Sequence, residues 1–253
     1  MVGVYFSGTG NSRYVLDVFL KTYDETSKFF SIEDDGVLTA VKEQEELVFA
    51  YPVQYSTVPK ILRDFISENK ELWNGKKVFV IATMGLFSGD GAGVLARLLQ
   101  KYGATVLGGA HVIMPDSIGD EKVLKRSLRK NKELVRRAEE RVRKAAVCLR
   151  NGNPTKEGLG PFSRMTGFFG QRLYFGIKTK AYSDKLKIDA DKCVGCGKCV
   201  KLCPMKNIAL AEGACVSGNR CTMCYRCVNT CPKQAITLLG KEVVDQSVIE
   251  KYL

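Results

Sequence analysis

Residues 193–204 read CVGCGKCVKLCP, and residues 221–232 read CTMCYRCVNTCP. Both follow C-x2-C-x2-C-x3-C-P, and the second run repeats the first at an offset of 28 residues. Thiolates at this spacing suit an iron–sulfur cubane, which takes soft ligands, four per cluster. A tight loop with a Cys every third residue wraps three corners. Pro204 and Pro232 then turn the chain away, so the fourth ligand is expected from the partner run. This assigns one [4Fe-4S] cluster to Cys193, Cys196, Cys199 and Cys231. The other falls to Cys221, Cys224, Cys227 and Cys203. Zinc ribbons use paired C-x2-C with long spacers, and disulfide scaffolds belong to secreted chains, so neither fits.

On these residues the stretch 187–240 resembles the bacterial two-[4Fe-4S] ferredoxins. The repeat extends past the ligands, with Ile208 and Ile236 at equivalent positions after each proline. Val194, Val200, Ile208, Val228 and Ile236 are expected to pack the small core and shield the clusters. Gly195 and Gly197 let backbone N–H groups approach the sulfurs, a lever on potential.

The 253 residues leave room for one ordinary core besides this module. No run of 18 apolar residues appears, so no membrane-spanning helix is expected. MVGVYFSGTGNS at residues 1–12 has no basic region ahead of its apolar run, unlike a signal peptide. Cluster chemistry then points to a reducing, cytoplasmic setting and an anaerobic or microaerobic source. Of ten Cys, eight are assigned as ligands. Cys148 falls on a helix as a small apolar residue, and Cys215 lies in the spacer as structural, idle or an exchangeable ligand.

The charge is local. Residues 120–189 hold 19 Lys and Arg against 8 Asp and Glu, so +11 of the chain's net +12 lies there. A solvated helix face is one reading. Docking of an acidic redox protein is another, and contact with an anionic membrane surface a third. No recognition motif accompanies the charge, so nucleic acid is not expected.

Residues 2–7 (VGVYFS) form an apolar run that ends in Ser-Gly-Thr-Gly-Asn-Ser at 7–12. Val15, Leu16, Phe19 and Leu20 follow at helical spacing. That is strand, small-residue loop and helix, an arrangement that cradles phosphate at a helix N-terminus. A P-loop would need a Lys, which is absent. A dinucleotide fingerprint would need a third glycine where Arg13 stands, although Glu33 after the next strand could serve as its ribose-binding acid. The hydroxyl-rich SGTGNS instead resembles the FMN phosphate loop of flavodoxins.

Further strands are expected at Lys28–Ile32, Leu47–Tyr51, Lys77–Thr83 and Ala104–Val112, the last interrupted by Gly108 and Gly109. Helices fall between them, one capped by Thr57 with Pro59 early in it. This alternation predicts an α/β fold with a doubly wound parallel five-stranded sheet. With the flavodoxin-like order 2-1-3-4-5, the loops at 7–12, 52–56 and 83–91 share the switch-point edge where ligands bind. The resemblance to flavodoxins implies that Ser7, Thr9, Gly10, Asn11 and Ser12 hold the FMN phosphate. Pro52, Val53, Gln54 and Tyr55 would flank one side of the ring. Thr83, Met84, Gly85, Phe87 and Gly89 would flank the other, with Tyr55 and Phe87 as stacking aromatics. The second loop is small and nearly uncharged, a departure from the acidic, aromatic-rich loops of that family.

A long helix is expected from Asp120 to Leu149, with Leu124, Leu128, Val135, Ala138, Val142 and Ala145 on its apolar face. Asn151-Gly152-Asn153-Pro154 ends it. The aromatic and basic segment after it (Phe162, Arg164, Phe168, Phe169, Arg172, Leu173, Tyr174, Phe175) is a linker, a membrane-surface element or a lid. His111, the only histidine, is expected to pack. The domains expected are residues 1–150, a linker at 151–186, and a small α+β two-cluster domain at 187–253. In order and motif the whole chain resembles the flavodoxin–ferredoxin fusion proteins of anaerobes. The resemblance implies an electron-transfer protein carrying FMN and two [4Fe-4S] clusters. A flavin-dependent reductase acting on a small substrate, and a ferredoxin whose flavodoxin-like scaffold has lost FMN, are the alternatives.

Overall fold

Five short apolar runs become five parallel strands. In the computed structural model, which describes residues 1–123, 125–167, 169 and 185–253, these are β1 (Val2–Tyr5), β2 (Lys28–Ser31), β3 (Glu46–Pro52), β4 (Lys77–Met84) and β5 (Thr105–Ile113). They are ordered 2-1-3-4-5. Strand alternation divides the central side chains between two cores. Leu47, Phe49 and Tyr51 of β3 and Val78, Val80 and Ala82 of β4 face α2 (Val37–Glu43), α3 (Lys60–Glu68) and α4 (Gly91–Lys101). Val48 and Ala50, with Phe79 and Ile81, face α1 (Asn11–Tyr23) and α5 (Leu128–Arg150). Both faces are covered, as a parallel sheet requires.

Three local expectations are corrected. Helix α3 begins at Lys60 with Pro59 as its N-cap residue and no side-chain cap. Thr57 instead pairs with Gln54 through reciprocal backbone hydrogen bonds of 2.8 and 3.1 Å, closing the loop after β3. Helix α5 begins at Leu128, capped by the Ser127 hydroxyl. Residues 120–123 and 125–127 stay outside it because Asp120 is used elsewhere: its Oδ2 accepts the N–H groups of Leu238, Leu239 and Gly240 at 2.6, 2.9 and 3.1 Å. Strand β5 runs on through its glycines with a register shift against β4 between Val106 and Gly108, so Gly108 and Gly109 mark an irregularity rather than a break. They let residues 154–157 lie against its edge, where Gly109 N–H donates to Thr155 O at 2.8 Å.

Of the nine Lys and Arg of α5, three are in ion pairs among the described residues, Arg136 with Glu140, Arg137 with Glu133 and Arg141 with Glu157. Cys148 is half-buried on this helix. A short helix α6 (Pro161–Gly167) follows, with Phe162 and Met165 exposed. The predicted contacts of Leu124, Phe168, Arg172, Leu173, Tyr174 and Phe175 lie outside the described residues.

The C-terminal part repeats one unit twice. Helices α7 (Lys198–Leu202) and α8 (Arg226–Thr230) each start from a left-handed residue, Gly197 and Tyr225. The pairs β6 (Lys187–Ile188) with β9 (Ile236–Thr237) and β7 (Ile208–Ala211) with β8 (Ala214–Ser217) are antiparallel. Ile208, Val228 and Ile236 are buried between the repeats, as expected. Val194 is not; it is 59% exposed. No helix among the described residues is long and apolar enough to cross a membrane.

Candidate functional site

The loop after β1 turns its carbonyls outward. Ser7 O accepts from Arg226 at 2.9 Å, and Thr9 O accepts the Ile249 N–H at 2.9 Å. The N–H groups of Gly8 to Ser12 donate to no backbone carbonyl among the described residues, so donors gather at the α1 N-terminus. Gly10 makes the turn at φ 90°. The hydroxyls of Ser7 and Thr9 carry no hydrogen bond among the described residues, and both residues are nearly buried. Two predicted phosphate ligands are committed elsewhere. Asn11 Nδ2 donates to Pro115 O at 2.8 Å, and the fully buried Ser12 hydroxyl bonds Thr83 Oγ1 at 2.8 Å.

This loop is one pole of a cavity of about 340 Å³, within the range of small-molecule sites. Ser7, Thr9, Asn11, Ser12, Pro52, Val53, Gln54, Tyr55, Thr83, Met84, Gly85 and Phe87 all line it. Gly10 and Gly89 do not: Gly10 backs onto Ile249, and Gly89 packs against the Gly167 backbone. Tyr55 and Ser56 hold left-handed backbone, at φ 49° and 56°, a strained conformation typical of functional loops. The lining includes two groups that motif reading missed. One is the run Met114 to Ile118 after β5, with Asp116 the only carboxyl in the lining among the described residues. The other is Met223, Cys224 and Tyr225, from the second cysteine run.

The eight cysteines fall into two sets. Cys193, Cys196, Cys199 and Cys231 line one small cavity, together with Cys215. Cys203, Cys221, Cys224 and Cys227 line another. Among the described residues no three His, Cys, Asp or Glu converge on a point that would hold a single metal ion. A cluster, whose ligands attach to separate irons, needs no such point. Backbone N–H groups already aim at four of the sulfurs: Cys215 at Cys193, Asn207 at Cys203, Met223 at Cys221 and Ala235 at Cys231, all at 3.3–3.4 Å. Burial pushes the Cys221 and Cys224 thiols up, Cys224 to about 12. A bound cation must therefore offset the cost of ionising them. Cys215 is buried beside Cys193 and Cys199, and Cys196 is exposed.

The two parts meet at this edge. A Cβ on Gly8 would stand 2.0 Å from Cys224 O, so only glycine allows the approach. Gln54 Nε2 donates to Thr222 O and Met223 O, both at 3.0 Å. Arg226 grips Glu33 with two bonds of 2.8 and 2.9 Å, besides Ser7 O and Leu202 O. Glu33 is therefore spent on this ion pair and is not free to hold a ribose. His111 lies away from the cavity, where its Nε2 accepts the Ala92 N–H at 3.1 Å.

A family model described as "4Fe-4S dicluster domain" matches residues 185–232. A ferredoxin of Pyrococcus woesei is 70% identical over 20 residues, 8% of this chain and 95% of that one. Among solved structures, the two-electron reduced flavodoxin of Megasphaera elsdenii has a TM-score of 0.41 at 22% identity, covering 57% of this chain and all of that one. A flavodoxin from the domain Archaea gives 0.42 at 17%, covering 58% and 95%. A Fusobacterium nucleatum flavodoxin bound to flavin mononucleotide gives 0.41 at 15%, covering 59% and 96%. The fold assignment rests on the observed strand order.

Proposed function

Because the chain belongs to the ferredoxins through its C-terminal part and joins that part to a flavodoxin-like fold, we propose that it passes electrons between two [4Fe-4S] clusters and an FMN held in the cavity. Electron transfer is the role that ferredoxin membership carries; the cofactor arrangement is the finer reading. FMN exchanges electrons singly or in pairs and each cluster exchanges one, so their union joins one-electron to two-electron partners.

The observation that carries the reading is Cys224. It lines the flavin-sized cavity and also the cavity shared by Cys203, Cys221 and Cys227. A cluster on those four thiolates would be the inner one, and its own ligand would form part of the wall of the flavin site. The cluster on Cys193, Cys196, Cys199 and Cys231 would be the outer one, reached from solvent at the exposed Cys196. The residues fit FMN. Inward N–H groups, the Ser7 and Thr9 hydroxyls and the α1 N-terminus suit a phosphate without a counter-cation. Val53, Tyr55, Met84, Phe87 and Met223 offer apolar walls to the ring. The partner proposed is an acidic redox protein meeting the basic stretch 120–189, with an anionic membrane surface as the alternative.

Anaerobically purified protein tests this through its absorbance and cofactor content. About eight irons and one FMN per chain are expected. Clusters with no flavin, even after reconstitution with FMN, would overturn the cavity assignment.

A further inference from the structure

The cavity has a second polar pole. Asp116 Oδ1 accepts the Ile118 N–H at 3.2 Å. The Ser117 N–H bonds the same carboxyl group. The carboxyl packs against the loop after β4, where a Cβ on Gly85 would lie 3.5 Å from Asp116 Cγ. Among the described residues, the lining of the cavity contains no Lys, Arg or His. The charged and titratable groups facing Asp116 from neighbouring elements are Lys125, Arg126 and Tyr225. Neither cation bonds the carboxylate: Lys125 donates to Asp245 O at 3.3 Å and Arg126 to Gly85 O at 3.1 Å, while Arg126 Nη1 is buried without a hydrogen-bond partner among the described residues. Among the described residues, negative charge delivered into this space therefore meets no cation in the lining itself.

We propose that Asp116 is the proton-exchanging group of the cavity, taking up a proton when the bound flavin is reduced and releasing it on reoxidation. The inference rests on the FMN reading above. In the balanced step, the flavin gains two electrons delivered singly through the clusters and one proton from solvent. The Asp116 carboxylate gains a second proton from solvent, and no other bond is made or broken. Burial raises the Asp116 carboxyl above its ordinary range, against the opposing pull of the Ile118 N–H, Lys125, the Ser117 N–H and Arg126. Charge arriving on the flavin pushes it further in the same direction. Between the oxidised-state and reduced-state pKa values, reduction therefore draws in one extra proton.

The test uses the full chain loaded with clusters and FMN and titrated anaerobically with dithionite. Proton uptake is read with a pH indicator, in wild type and Asp116→Asn. Wild type is expected to take up one more proton per flavin over an interval above the ordinary carboxylate range. Cluster-linked uptake cancels in the difference. Reduced-minus-oxidised infrared spectra of protein labelled with ¹³C-aspartate should show a protonated carboxyl band appearing in wild type alone. That measurement decides the matter by itself if the variant fails to load. FMN-loaded wild type with no such band, or equal proton counts at every pH, would overturn the role of Asp116 alone. Wild type that takes up no FMN would overturn the cavity reading and this inference together.

Discussion

Breaking the ion pair between Arg226 and Glu33 should loosen the join between the two parts by a measurable amount. The side chains are 18% and 29% exposed. Exposed pairs contribute about 0.2–1 kcal/mol, and removing one partner of a fully buried pair costs about 3–5 kcal/mol. A two-point pair at this depth belongs between those limits, so Glu33→Gln is expected to cost about 2 kcal/mol. Arg226→Ala should cost more, about 3 kcal/mol, because it also strips the donor from Ser7 O and Leu202 O. The double variant should then show a coupling energy of about 1.5 kcal/mol. Trp73 provides the probe: it is the only tryptophan, fully buried, with its ring edge-on to Phe49 at 5.7 Å. With a urea slope of about 2 kcal/mol/M, Glu33→Gln should lower the unfolding midpoint by about 1 M. Coupling below about 0.5 kcal/mol would mean that solvent screens the pair and that it does not fasten the join between the two parts.

Other expectations follow from the same edge. Gly8→Ala places a Cβ 2.0 Å from Cys224 O, so the backbones must part by about 1 Å at a cost of ~1–3 kcal/mol. Iron content should hold while FMN affinity falls about tenfold; an unchanged dissociation constant by flavin fluorescence would show that the loops separate freely. Cys224→Ser would spare flavin binding if the two parts were independent. Since Cys224 lines both cavities, iron should drop to about four per chain and FMN binding should weaken with it. Iron lost with FMN affinity unmoved would separate the sites. Burial holds His111 below the ordinary imidazole pKa, so the unfolded chain binds that proton more readily. Its contribution to stability is complete above about pH 6.5 and falls away as pH drops below it. His111→Gln should flatten the urea midpoint across that range, and parallel curves in the two proteins would remove His111 as the cause.

Much of this architecture could be read in advance because it is local. Eight cysteines carry their own spacing, apolar runs alternate with helical spacing, and Ser7 to Ser12 read as a small-residue loop between strand and helix. What escaped reading depends on partners far along the chain. Glu33 looked like a ribose acid until Arg226, 193 residues away, was seen to hold it. Asp120 looked like the start of a helix, yet its carboxylate caps backbone near residue 239. Asp116 belongs to no motif and enters the cavity only because β5 ends beside the loop after β4. Asn11 and Ser12 have the residue types of phosphate ligands, but packing spends their side chains on neighbouring loops.

The seating of Ile249 and Tyr252 bears on how the molecule is born. Both pack into the core between the sheet, α1 and α5, and Ile249 braces the loop at Thr9. Strand β5 ends at Ile113, so this brace leaves the ribosome about 140 residues later, a lag of roughly 7–28 s at ~5–20 residues per second. Until residue 226 is made, the sheet has all its strands while the loop after β1 lacks both Arg226 and Ile249, and from then until residue 249 it still lacks Ile249. The cysteine runs emerge first, at 193–204 and 221–232. A nascent chain would therefore be ready for iron before it is ready for flavin.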